Sequence, residues 1–169
     1  MKPPSERRRK GVFRIKSPRL EKEGRKVLKR GFFHRMGLEL KVLYGGYRVR
    51  ELQKAVSKRL GRLKHLESQG KKPSPKALRS IIKTCDKGSS MAFSTRMALK
   101  PLTGANYVKL LEREKRGDGR AAEKIHRLLL GYYDTIGLQK KVSREFLEHR
   151  KEAYGKLEEL ETASEAKTS

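Results

Sequence analysis

Apolar positions in this chain recur at steps of three and four, the spacing that lines one side of an α-helix. The clearest run covers residues 47–69, where Val49, Leu52, Val56, Leu60, Leu63 and Leu66 fall on one side. The remaining sides carry Arg48, Arg50, Lys54, Lys58, Arg59, Arg62 and Lys64 against only Glu51 and Glu67. Gly45-Gly46 predicts a break before this helix, and Gly70 a left-handed close after it. The pattern calls for a protein partner along the apolar seam and an anionic partner over the basic surface.

The same reading extends along the chain. Ser17 caps and Pro18 opens a first helix, with Leu20, Val27 and Leu28 inward, Gly24 weakening it and Gly31 closing it. Residues 32–44 fit a helix through Phe33, Met36, Leu40 and Leu43. Leu38, Leu40, Val42 and Tyr44 partly fit a strand, but no second strand follows to pair with it. Residues 70–75 (Gly-Lys-Lys-Pro-Ser-Pro) read as a linker, after which Ser74 and Pro75 start a short helix through Thr84. Asp86-Lys87-Gly88-Ser89 reads as a turn into a second short helix that stops before Pro101, a rough helix-turn-helix layout. Thr103 is placed as the cap of a helix carrying Tyr107, Val108, Leu110 and Leu111, and Gly117-Asp118-Gly119 as a turn. A helix over residues 120–135 follows, and Ser143 caps a last one with Phe146, Leu147, Arg150, Tyr154, Leu157 and Leu160 on one side. The fold class expected is all-α: several short to medium helices, a long basic central helix and an extended basic N-terminal arm. The organisation expected is an arm at 1–16, a basic helical region at 17–70, a linker at 71–75, a C-terminal helical region at 76–161 and a polar tail at 162–169.

Charge sharpens the picture. Lysine and arginine number 44 against 19 acids, a net charge of +25. Solubility alone takes a magnitude of about 2–8 in a small domain, so a polyanionic partner is indicated. The excess is graded: residues 1–72 carry net +18, residues 73–141 net +9, and residues 142–169 net −2. Leu, Ile, Val and Phe make up 22% of the chain, just above the roughly 20% below which highly charged chains stay disordered. Residues 1–16, with Arg7-Arg8-Arg9-Lys10, Arg14 and Lys16 around Val12, Phe13 and Ile15, read as an arm lying along phosphates or as an organelle-targeting segment.

Candidate chemistry is sparse. Cys85 is the single cysteine, so no internal disulfide can form and no cysteine pair can hold zinc. His34, His65, His126 and His149 are far apart, and no nucleophile, dinucleotide or phosphate-loop motif occurs. No apolar run approaches the 18 or so residues of a membrane span. The sequence thus predicts a protein that is not an enzyme, with no metal, no cofactor and no small-molecule substrate.

The basic arm Arg7-Arg8-Arg9-Lys10, the basic helices, the absence of Trp, the single Cys and the small core together resemble a ribosomal protein. The acidic, helical C-terminal end resembles the additions on organellar ribosomal proteins. What the resemblance implies is ribosomal RNA and neighbouring ribosomal proteins as partners, the latter meeting the C-terminal helices, and a mitochondrial ribosome as the location, otherwise a cytoplasmic one. The RNA-binding set expected is Arg7, Arg8, Arg9, Lys10, Arg14, Lys16, Arg25, Lys26, Lys29, Arg30, Arg35, Arg48, Arg50, Lys54, Lys58, Arg59, Arg62, Lys64, Lys71 and Lys72. The alternatives are a DNA-binding or chromatin-type protein reading through residues 75–100, or a viral nucleoprotein.

Overall fold

The computed structural model describes residues 17–165, and within them the protein is all α-helical. Four helices follow one another: α1 (Pro18–Lys29), α2 (Gly31–Ser68), α3 (Pro75–Lys115) and α4 (Gly119–Glu165). The expected arm at residues 1–16 lies outside the described residues.

Local chemistry sets most helix ends. The Ser17 hydroxyl accepts from the Leu20 amide at 3.4 Å, and the Ser74 hydroxyl from the Ala77 amide at 3.2 Å, each ahead of a proline in the first turn. The Asp118 carboxylate does the same for α4, accepting from the Ala121 amide at 3.2 Å. A glycine in the left-handed region marks each change of helix: Gly31 at φ +82°, which opens α2, and Gly70 at +69° and Gly117 at +72° in the two later connections.

The element lengths differ from the sequence reading. Instead of several short to medium helices there is one short helix and three of 38, 41 and 47 residues. Four expected interruptions are absent. Gly45-Gly46 lies within α2, and the Asp86–Ser89 turn and the stop before Pro101 both fall inside α3. Ser143 caps nothing; it lies within α4, and its hydroxyl hydrogen-bonds that of Ser89 at 3.1 Å. Thr103 is not a cap either: it is buried, and its hydroxyl donates back to the Leu99 carbonyl at 2.9 Å.

The physical reason is burial on α3, which contacts all three other helices. Gly24, Gly45 and Gly88 each sit where a neighbouring helix comes close. Gly24 of α1 faces Gly104, and a β-carbon on either would strike the other helix's backbone. Gly45 of α2 faces the Thr95 side chain, and Gly88 lies under the Phe146 ring of α4. Packing on this scale outweighs the roughly 1 kcal/mol that a mid-helix glycine costs, and it holds Pro101 in place although that residue has no N–H for the Met97 carbonyl.

The pairings also fix direction. Gly45 meets Thr95 and Arg59 meets Thr84, so α2 and α3 run antiparallel. Gly88 with Phe146 and Arg79 with Glu161 make α3 and α4 antiparallel too. α2 and α4 are therefore parallel, joined by Gln53 donating to Glu145 at 3.1 Å and by Lys156 bonding Glu67. The main core lies between the three: Val49, Val56 and Leu63 from α2, Leu78, Ile81, Ile82 and Cys85 from α3, and Val142, Phe146, Ala153 and Leu157 from α4. The seam read from residues 47–69 thus faces this chain's own α3 and α4.

Candidate nucleic-acid interface

With Val49, Val56 and Leu63 turned into the core, the opposite side of α2 faces solvent. In the second half of the helix that side carries Arg50, Lys54, Lys58 and Arg62, all exposed. Successive members are four residues apart, a rise of about 6 Å along the axis. Glu51 sits on the same side and pairs with Lys54 at 3.1 Å. Arg48, Arg50, Lys58, Arg62 and Lys64 are exposed and have no ion-pair partner among the described residues. Lys71 and Lys72 extend the exposed charge past the end of the helix.

Two of the expected phosphate contacts are committed elsewhere. Arg59 is half-buried and turned inward, bonding the Thr84 hydroxyl and the Ser80 carbonyl of α3. Arg35 pairs with Glu39 at 2.9 Å on the inner side of α2. That pair lies close enough to Lys109 that Arg35 adds to the effect of burial in lowering the lysine's pKa. On α1, Arg25 is exposed but bound to Glu21 at 2.7 Å. Arg7, Arg8, Arg9, Lys10, Arg14 and Lys16 lie outside the described residues.

A second basic surface forms where α1 and α2 meet α3. Lys26 and Arg30, both expected, converge there with Arg19 and His34, and with Lys100 of α3, which periodicity along one helix could not bring in. These residues rim an open cleft of about 380 Å³ floored by Val27, Leu38, Met97 and Pro101. The one acid on its rim is Glu23, 3.4 Å from Arg19. Five nitrogen-bearing side chains around an apolar floor match a ligand that is anionic on one side and flat or apolar on the other, as a nucleotide is. Lys29 is exposed on α1 beside this rim. Arg19 and Lys26 share a face of α1 by their seven-residue spacing, so that part was open to sequence reasoning; His34 and Lys100 needed the tertiary fold.

Nothing in the described residues forms the expected helix-turn-helix: residues 75–100 lie within the single helix α3, whose inner positions are buried along its length. Among the described residues no group of three His, Cys, Asp or Glu side chains is placed to hold a metal, and no helix is long and apolar enough to cross a membrane. The buried Cys85 thiol is pushed up to about 11, chiefly by desolvation and then by the neighbouring Asp86 charge, which leaves it protonated at neutral pH. No protein-family model, curated protein or solved structure matches the chain.

Proposed function

We propose that the protein is a non-catalytic, RNA-binding structural component of a ribosome, a mitochondrial one in the first instance. The observation that carries the reading is the outer side of α2 from Arg50 to Arg62, exposed cations at four-residue steps with a single acid among them. A rigid helix with such a row gains binding free energy by releasing the counterions of a polyanion. The cleft of Arg19, Lys26, Arg30, His34 and Lys100 supplies a second, recessed contact suited to an unstacked base and its phosphate. Folded RNA offers both features, a continuous backbone and splayed bases, whereas duplex DNA presents its bases stacked. The net +25 adds long-range attraction to either, and α4 packs through Val142, Phe146 and Leu157 on the core side of α2, behind the row.

The test is crosslinking of the full-length protein in cells, followed by sequencing of the attached nucleic acid. Enrichment at one site of a ribosomal RNA is the expected outcome. Scattered genomic DNA, or transcripts in proportion to their abundance, would overturn the reading.

A further inference from the structure

The first half of α2 carries a different surface on the same solvent side. Phe33, Met36, Leu40, Leu43 and Tyr47 follow one another at steps of three and four, with Tyr44 beside Leu43, opposite the buried Gly45 and Val49. Leu43 is 70% exposed, Phe33 80% and Tyr47 62%, and Phe32 packs edge-on against Phe33 at 5.7 Å between ring centres. The stripe runs about 21 Å along the helix. It exposes on the order of 800 Å² of side chain, because an open aromatic side chain presents roughly 150–250 Å². That is more than the largest apolar patch of a typical monomer, about 300–600 Å², and matches the share of one partner in a standard protein interface, about 800 Å².

We propose that this stripe seats an amphipathic helix of another protein, one whose apolar face is bounded at its ends by carboxylates. Charge selects that partner. Along the stripe's own line there is no cation; Lys41 and Arg48 stand along one flank, Lys29 and Arg30 lie just before the stripe, and Arg50 and Lys54 just after it. A phosphate backbone wants cations beside every base, and the aliphatic centre at Met36, Leu40 and Leu43 offers no ring for stacking. A second copy of this chain is disfavoured in either direction. Parallel pairing opposes the two Arg50–Arg62 rows, and antiparallel pairing about Leu40 sets Arg50 of one copy against Arg30 of the other. A helix that lies in a lipid surface turns a charged face to water opposite its apolar one, whereas opposite this stripe Gly45 and Val49 are buried against the chain's own helices. Gly37 and Gly46 have open space where a β-carbon would stand, so a partner's backbone can approach closely on both sides of the stripe.

The experiment places a photo-crosslinking benzoylphenylalanine at position 40 of the full-length protein in cells, with positions 58 and 124 as separate probes, and maps adducts by mass spectrometry. The expected adduct at position 40 is one protein segment with apolar residues at three-to-four spacing between Asp or Glu residues. Leu40→Glu with Leu43→Glu, probed from position 36, should lower its yield by more than about tenfold, with the melting temperature unchanged because both side chains are open to solvent. Adducts at position 40 to nucleotides, to lipid, to a second copy of this chain or to a segment without that acid-bounded pattern would each overturn the proposal. So would a yield no higher than at the exposed Lys124 control. Position 58 reports on the RNA face alone, so a failure to recover RNA there counts against the proposed function and leaves the position 40 result standing.

Discussion

Gly24 and Gly104 pack backbone to backbone, and a β-carbon on Gly24 would meet the Gly104 carbonyl. Neither side of that contact is a flexible side chain that could swing away. We expect Gly24→Ala to destabilise the protein by about 2 kcal/mol, the overpacking cost exceeding the helix-propensity gain. Gly61→Ala, in open space on the outer side of α2, should instead stabilise by about 0.5–1 kcal/mol. Urea unfolding of the two variants checks both signs, and equal shifts would mean that α1 does not cross α3 at this pair.

Phe146 and Leu147 are neighbours with opposite surroundings. The ring is 1% exposed and lies over Gly88, while Leu147 is 47% exposed. Phe146→Ala should cost about 3–5 kcal/mol, and Leu147→Ala no more than about 0.5 kcal/mol. The same denaturant measurement separates them.

The α2 row has a signature in salt. Binding of the full chain to its RNA should weaken with a log–log slope on the order of −6 to −10. Reversing Arg50, Lys54, Lys58 and Arg62 to Glu should make that slope shallower by roughly 3–4, close to one for each lost contact, with Lys54 contributing least because Glu51 already holds it. Circular dichroism of the variant should stay helical, since these side chains lie away from the core. An unchanged slope would locate the contacts elsewhere.

Cys85 gives the protein a pH limit. In the unfolded chain the thiol ionises near 9; in the folded protein it holds its proton to about 11. The unfolded state is thus the first to gain from deprotonation, so the stability present below pH 9 is lost as pH climbs toward 11. Cys85→Ala removes this dependence. Unfolding free energies of both proteins at pH 8, 9, 10 and 11 should differ by an amount that shrinks at the alkaline end, and a constant difference would refute the assignment.

What could be read from the sequence was what neighbouring residues decide among themselves. Ser17 and Ser74 cap through bonds three residues away, Gly70 and Gly117 turn the chain in the left-handed region, and the Val49–Leu63 seam is buried as its spacing requires. The breaks assigned at Gly45, Gly88, Pro101 and Thr103 follow the same local rules. They are absent because contacts remote in sequence keep the helix intact through those positions. The stripe at Phe33, Met36, Leu40 and Leu43 has helical spacing, but spacing does not say which side another helix will cover. The basic cleft lay half in view, through Lys26 on α1 and Arg30 just after it, with Lys100 some seventy residues further on.

The apolar side of α2 is covered by helices that follow the chain's bend at residues 69–74. A single cut there separates the polypeptide into two pieces without separating the core they share. The nicked molecule should elute as one particle and run as two bands only under denaturing conditions. A gene split at this bend would thus yield two halves that need each other, making co-expression a natural assay for any change along the Val49–Leu63 side.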